Sequence, residues 1–590
     1  MIASYTRIKK IREAMLEQGI GLYIMVNSDP HESEYMPDYW KTVEWLTGFR
    51  GEVATVVISQ QEALLWTDSR FFISGAEQLK GSPFKLMKLK IDITPIEWIM
   101  NHLCEAGDDK PIIAGDKRVI FGPLRDLISM DADLISPIWK GRPSLPKNPV
   151  EIYPVEYDGE EASSKIQRIL EALRKSCPAG EPKALLLKSL DDICWTLNLR
   201  GSDVECTPVF LSYLLLSAEK KALYIDSAKL TPEVSHYLNN IGVETAPYEE
   251  APVDAPNLAE ANPVTLMKAI KNETEIAGFR SAMLKDGIAL TRFYHWLEDQ
   301  LNSEGEFMMN DDGTIGITGE VTELDCAQKL IEFRKEQPLY RDESFPAIVA
   351  WNEHAALPHY EPTEKSNALI QGDGLLLIDT GGHYLDGTTD ITRTIGVGRV
   401  SAAMKRDYTL VLKGHIRLAT AVFPEGSRGD QLDALARIDL WRDGKTYRHG
   451  TSHGVGHYLS VHEGPQSVRM EHNPQPLVPG MIFSNEPAIY LQGQYGIRHE
   501  NCVLVRRFDV DYDAPGSTPC EQEEQGQFLC LDTLTLCFLD TNCLDLRIMT
   551  DEEIEWINHY NKWVYDTLSP HLYEEDQLWL GVKCQPIARR

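Results

Sequence analysis

The chain has 590 residues, 43% of them hydrophobic, enough apolar material for several packed cores, so two to four domains are expected. Its 58 Lys and Arg against 89 Asp and Glu give a formal charge of -31, which argues against nucleic acid or an anionic membrane surface as a partner, because both need a basic footprint. No apolar run is long enough to span a bilayer, the N-terminus lacks a signal-peptide core, and eleven cysteines without CxxC pairs fit reduced thiols; a cytoplasmic protein is expected.

In chain order, MIASYTRIKKIREAMLEQGI reads as an amphipathic helix bearing Ile8, Ile11 and Leu16. Strand-like runs (GLYIMV, EVATVVIS, EALLWTD) then alternate with helical ones, an α/β pattern. GRPSLPKNPVEIYP, residues 141–154, carries four prolines and reads as a linker, so a first domain is expected over 1–150. The next segment echoes the first: WLTGFRG (Trp45 to Gly51) followed by VVIS and ALLWTD has its counterpart in WTLNLRG (Trp195 to Gly201) followed by LLLS and ALYID. This suggests a diverged internal duplication, with two unrelated α/β layers as the alternative. The stretch EEAPVDAPNLAEANP closes that second domain, 151–263.

The expected third domain, 264–590, opens on a long amphipathic helix with Ile276, Phe279, Met283, Leu290, Phe293 and Leu297 every three or four residues. Thr322 is placed to cap another helix, with Leu324, Ala327 and Leu330 inward. Residues 345–505 turn strand-rich with Gly-rich turns. Residues 509–526 read as a long polar loop, and Thr550 with Glu553 forms a capping box for a closing helix rich in tryptophan and tyrosine.

The candidate chemistry lies in the strand-rich part. In GLLLIDTGGHYLDGTTDITRT, Asp379 follows the apolar run LLLI and Asp390 precedes ITRTIGV, with Asp386-Gly387 as a turn between two strands of one sheet. By themselves these aspartates fit a cap and a turn equally well. RHGTSHGVGHYLSVHEGP holds His449, His453, His457 and His462, and its glycines favour a loop or strand over a zinc-binding helix. In GMIFSNEPAIYLQGQYGIRHENCVLV, Glu486 ends an apolar strand before Pro487, and Glu500 lies two positions from Arg498, which leaves a structural ion pair open for Glu500 alone. Four carboxylates cannot share an apolar pocket without strong positive charge. With one imidazole they form the oxygen-rich set that suits a pair of Mn-, Co- or Zn-like ions.

These motifs resemble the creatinase-like, "pita-bread" metallopeptidases, in particular the aminopeptidase P (Xaa-Pro aminopeptidase) branch in its cytosolic three-domain form. The eleven-residue step from Asp379 to Asp390, the HGTSHGVG box and the fourteen-residue step from Glu486 to Glu500 carry the resemblance. SDPHESEY, WTDSRFF, NLRGSDV and VFPEG extend it over most of the chain. It implies two α/β domains of the creatinase N-terminal kind followed by an α+β pita-bread catalytic domain. By the same resemblance, His453 and Glu486 bind one divalent ion, Asp379 binds the other, and Asp390 and Glu500 bridge both, with Mn first and Co or Zn as alternatives. His359 and His462 correspond to substrate-binding histidines, His449 to a residue beside the proline pocket, and Arg498 to one that supports the site. The implied reaction is removal of the N-terminal residue from Xaa-Pro peptides. A hydroxide bridging two ions roughly 3.5–4 Å apart attacks the carbonyl, His462 or His359 stabilises the oxyanion, and Glu486 carries the proton to the leaving nitrogen. A homodimer is implied as well. A prolidase acting on Xaa-Pro dipeptides and a non-catalytic peptide-binding protein are the rival readings. One departure stands beside a ligand: NEPAIY, with Asn485 and Ala488, replaces the family's usual DEPGYY.

Overall fold

The computed structural model describes residues 2–589 apart from 106–109, 177–183, 256–257, 260, 303–306, 310–314, 318–319 and 510–525. Most of the loop expected over 509–526 thus lies outside the described residues. The chain divides into two compact units, Met1–Ile152 with Ile166–Asn262, and Tyr153–Lys165 with Pro263–Arg590.

In the first unit the helix Ile2–Glu17 buries Ile8, Ile11 and Met15. Leu16, expected on that face, is 66% exposed. The face runs i, i+3, i+7 from Ile8 to Met15, and Leu16 lies one residue, about 100°, further round. The proline-rich stretch is irregular except at Glu151–Ile152, which pair with Leu199–Arg200. A six-stranded sheet runs in the order Lys85–Lys88, Ala63–Thr67, Thr55–Ile58, Ile20–Val26, Ile112–Gly115, Met130–Asp131. A second sheet has the order Glu244–Ala246, Lys221–Ile225, Ser212–Leu216, Leu185–Leu187. Its four strands repeat the first four of the larger sheet in order and in sense: one parallel pair at the edge, then two antiparallel pairs. Each sheet also has an aspartate just after its second strand, and the carboxylate caps a short 3-10 turn: Asp68 accepts from the Arg70 amide, Asp226 from that of Ala228. Shared order, sense and cap favour a diverged duplication over two unrelated layers.

The second unit opens on the helix Glu273–Asn302, which buries Phe279, Met283, Leu290, Phe293 and Leu297. Thr322 and Asp325 form a capping box on Glu323–Lys335, whose inner face is made by Cys326 and Leu330 while Leu324 and Ala327 are only half-buried. Thr550 and Glu553 form the box expected on Asp551–Leu568. Of that helix's aromatic residues, Tyr560 is buried and Trp556 packs on the core, while Trp563 is 36% exposed. Three antiparallel strands, Ile348–Trp351, Gly374–Thr380 and Ile391–Val397, form one sheet. Four more, Val422–Pro424, Phe528–Thr533, Asn501–Phe508 and Ile482–Asn485, form another. A ribbon joins Ala488–Leu491 to Tyr495–Arg498.

The turn between the two aspartate strands is displaced by one residue from expectation. Tyr384 pairs with Gly387, so Leu385 and Asp386 occupy the turn and Gly387 already belongs to a strand. Asp386 is buried, with its carboxylate on Lys285 and its carbonyl accepting from His457 Nε2 at 2.9 Å. His457 is therefore an anchor for this hairpin. Among the described residues no helix is long and apolar enough to cross a membrane.

Candidate metal centre

The strand Gly374–Thr380 is apolar and buried throughout, and it delivers Asp379 near its end, opposite Thr392 of the neighbouring strand. Asp390 immediately precedes that neighbour, Ile391–Val397. Glu486 follows Ile482–Asn485, and Glu500 precedes Asn501–Phe508. Asn485 and Asn501 are opposite partners in the antiparallel pair, so the two glutamates leave the same end of one ladder. Each carboxylate therefore sits at a strand end, where the side chain leaves the core while the backbone stays fixed by sheet hydrogen bonds.

His453 enters from the glycine-rich loop. Its backbone N–H donates to Ser484 Oγ at 3.2 Å, and its Nδ1 lies 3.0 Å from the Gly454 carbonyl. Gly454 exchanges two backbone hydrogen bonds with Glu463, at 3.0 and 2.8 Å. A Cβ at Gly454 would come within 2.5 Å of Gln466 Nε2 and 2.8 Å of the Glu463 carbonyl, so glycine is required there. This crossing sets the His453 and His462 rings edge to face, with centroids 4.1 Å apart.

The five expected ligands converge. His453 Nε2 lies 3.3 Å from Asp390 Oδ2 and 3.5 Å from Glu486 Oε1. Donor atoms of Asp390, His453 and Glu500 all fall within 4.8 Å of one another. Arg498 joins Asp379 to the group by contacting its Oδ2, and donates from Nη1 to Tyr490 Oη at 2.7 Å and from Nε to Thr392 Oγ1 at 3.0 Å. Thr392 in turn donates to Glu500 Oε2 at 2.7 Å. His449 bonds Tyr490 Oη at 2.9 Å and lies 3.9 Å from Glu486 Oε2. His359 is half-buried, next to Pro358, whose carbonyl is 3.5 Å from Arg498 Nη1.

The electrostatics are those of crowded negative charge. Burial pushes Asp379, Glu486 and Glu500 above the ordinary carboxylate range, and neighbouring carboxylates add to the effect while Arg498 opposes it. Burial disfavours the charged form of His453, but Asp390 and Glu486 outweigh it and raise this histidine to about 9. Burial, together with Arg498, drives His449 the other way, well below its usual range. Among the described residues Asp379 Oδ1 is buried without a hydrogen-bond partner, an expensive position for a carboxylate oxygen unless a cation meets it. Four carboxylates, one imidazole and an orphaned oxygen fit hard divalent cations.

Thr392 and Arg393, like Ser484 and Tyr490, lie outside the expected set and help build the site. Arg393 is fully buried and donates to the carbonyls of Glu500 at 2.7 Å and Thr392 at 3.0 Å. Thr392 and Arg393 point to opposite sides of one strand, so the hydroxyl holds the Glu500 side chain and the guanidinium its backbone. An arginine inside the buried strand ITRTIGV is the trace of this that the sequence carries.

Comparison with known proteins gives a consistent family. The model of Metallopeptidase family M24 matches residues 277–507, and that of the C-terminal region of peptidase M24 matches 527–587. Two Creatinase/Prolidase N-terminal domain models match 7–121 and 141–262. A probable Xaa-Pro aminopeptidase P from Laccaria bicolor is 35% identical over 98% of this chain and 93% of its own length. Aminopeptidase P2 of Arabidopsis thaliana is 33% identical over 99% of this chain and 88% of its own. The crystal structure of X-prolyl aminopeptidase from Caenorhabditis elegans, described as a cytosolic enzyme with a di-nuclear active site, superposes with a TM-score of 0.88 at 32% identity, covering 99% of this chain and 100% of that one. The fold is accordingly that of two creatinase N-terminal domains and a pita-bread domain, and the chain belongs to metallopeptidase family M24, in its aminopeptidase P branch.

Proposed function

We propose that this protein is a dinuclear-metal aminopeptidase that hydrolyses the N-terminal Xaa-Pro bond of peptides, as a cytoplasmic homodimer with Mn as the first candidate metal and Co or Zn as alternatives. The observation that carries the reading is the approach of Asp390, His453 and Glu500 donor atoms to within 4.8 Å of one another, with Glu486 beside His453 and with Asp379 Oδ1 buried without a hydrogen-bond partner among the described residues. Kinship over the full chain with proteins named for Xaa-Pro cleavage supports the choice of bond. The division into 1–150, 151–263 and 264–590 belongs to the same proposal.

His453 and Glu486 would hold one ion and Asp379 the second, with Asp390 and Glu500 shared between them. Two divalent ions held by these residues would supply Lewis-acid polarisation of the scissile carbonyl and a water acidic enough to act as nucleophile at neutral pH. Glu486, hydrogen-bonded to Ser484 Oγ at 3.2 Å and beside His449, is placed to move a proton from that solvent to the leaving proline nitrogen. His462, with its ring against His453, and His359 are the candidates to donate to the developing oxyanion. His449, held neutral by burial, offers an uncharged surface with Tyr447 and Tyr490, their ring centroids 5.0 and 5.5 Å away, for a proline ring.

Metal-stripped protein assayed with an Xaa-Pro-Yaa tripeptide, an Xaa-Pro dipeptide and a proline-free peptide, with and without added Mn, Co or Zn, tests the reading. Metal-dependent release of Xaa from the tripeptide is expected. Preference for the dipeptide points to a prolidase, and no cleavage with Mn, Co or Zn to a peptide-binding protein.

A further inference from the structure

A buried polar chain runs from the helix Ala402–Ala419 to the strands that carry Glu486 and Glu500. His415 sits in the helix Ala402–Ala419 and is fully buried. The preceding Gly414 lets this helix approach Gly429–Arg442 closely: a Cβ there would lie 2.1 Å from the Ala436 carbonyl. The depth of His415 is therefore fixed by helix packing, independently of the strands it meets.

His415 Nδ1 lies 3.0 Å from the Asn485 carbonyl, and Asn485 Nδ2 donates back to the His415 carbonyl at 2.9 Å. Its Nε2 meets Asn501 Nδ2 at 3.1 Å. A carbonyl only accepts and an amide NH2 only donates, so these partners dictate one neutral tautomer, with the proton on Nδ1 and the lone pair on Nε2. Asn501 Oδ1 then accepts from Arg393 Nη2 at 2.8 Å, and Arg393 Nη1 reaches the Glu500 carbonyl. Asn485 and Asn501 face each other across the last pair of their ladder. The residue after the one is Glu486, and the residue before the other is Glu500.

We propose that His415 is a positioning residue for the metal centre, a neutral imidazole clamp on Asn485 and Asn501 that sets the spacing of Glu486 and Glu500 where they leave the ladder. The inference rests on the reading of those two glutamates as metal ligands. It also gives Asn485, where the family motif has aspartate, a function: its amide donates to a helix carbonyl, which an ionised carboxylate cannot do. Burial, with Arg393 adding to it, holds His415 down at about 3, in keeping with a ring that stays neutral.

The test compares wild type with His415→Leu, which keeps the volume and loses both hydrogen bonds, and His415→Gln, which retains one donor and one acceptor. Three quantities are read: the apparent Kd for Mn from calorimetry on metal-stripped protein, the rise in Tm on adding Mn, and the split of kcat against KM on an Xaa-Pro-Yaa tripeptide. His415→Leu is expected to weaken Mn binding by about 10–100-fold, as losing support to a ligand generally does, and to lower kcat with little change in KM. His415→Gln is expected to recover most of both. A Leu variant that binds Mn as wild type does, with only its metal-free Tm lowered, overturns the inference and reduces His415 to a packing residue. If the Leu variant does not fold, the Gln variant and His415→Asn, which keeps the donor to Asn485 but is too short for Asn501, decide the matter: equal Mn affinities in Asn, Gln and wild type overturn it. If wild type itself shows no response to Mn, the metal reading falls and this inference with it; if wild type responds and the variants respond equally, only this inference falls.

Discussion

Arg498 closes on one carboxylate oxygen of Asp379 and leaves the other buried with no hydrogen-bond partner among the described residues. The guanidinium is itself fixed by Thr392 and Tyr490, so Asp379 is held in a single orientation with a free lone-pair face. Lysine cannot serve three acceptors in a fork geometry. Arg498→Lys is therefore expected to lose about 10–100-fold in Mn affinity, measurable by calorimetry, while retaining the wild-type fold by circular dichroism.

Glu500 has the most unfavourable surroundings of the carboxylates: burial, then Asp390, Glu486 and Asp379, all oppose its ionisation. A carboxylate whose pKa is raised on folding contributes stability at low pH that is lost as pH rises through its folded value. At pH 8 the metal-free protein bears that cost, and Glu500→Gln removes it. The variant is expected to melt at least about 2–4 °C higher than wild type without metal, yet to gain markedly less than wild type from added Mn. Differential scanning with and without Mn checks both halves, and a metal-free variant less stable than wild type contradicts the account.

His31, in the first unit, bonds the Lys188 carbonyl at 2.8 Å and Tyr248 Oη at 2.7 Å, and burial holds its pKa below the ordinary 6.5 despite Asp29 nearby. With a depressed folded pKa, the unfolded chain takes up the proton first as pH falls. Stability is then unaffected well above 6.5 and declines below it, by at most about 1.4 kcal/mol per pH unit for this group. His449 and His499, also depressed by burial, add their own slopes, so the readout is a difference. Urea midpoints between pH 7.5 and 5 should fall less steeply in His31→Gln than in wild type.

Arg393 donates to the carbonyls of Thr392, Glu500, Cys537 and Phe538 and to Tyr560 Oη, all buried. Replacing it by leucine strands those acceptors. A loss of about 3–5 kcal/mol is expected, seen as a lower denaturation midpoint with the transition slope unchanged.

The carboxylates were legible because each is a hard, charged group set against an apolar run, as in LLLID and IFSNE, and burial of charge demands a reason. The glycines of the histidine box were legible too, since Gly454 sits where no Cβ fits. Their supports were not. Thr392, Arg393, His415 and Asn501 meet partners up to 167 positions away, and single polar residues in helices and strands carry no spacing rule that links them. Leu16 was misplaced by one residue because three turns of apolar periodicity tolerate either Met15 or Leu16, and packing chose Met15. His457 looked like a site residue from its neighbours in sequence, yet its ring is taken up by the Asp386 carbonyl.

The central claim is that five side chains from separate segments hold two ions, and metal stoichiometry tests it most directly. Metal-stripped protein titrated with Mn at pH 7.5 and assayed for bound metal after desalting is expected to retain two ions per chain, with Asp390→Asn and Glu500→Gln each retaining markedly fewer. No bound Mn, or a stoichiometry that these substitutions leave unchanged, would contradict it.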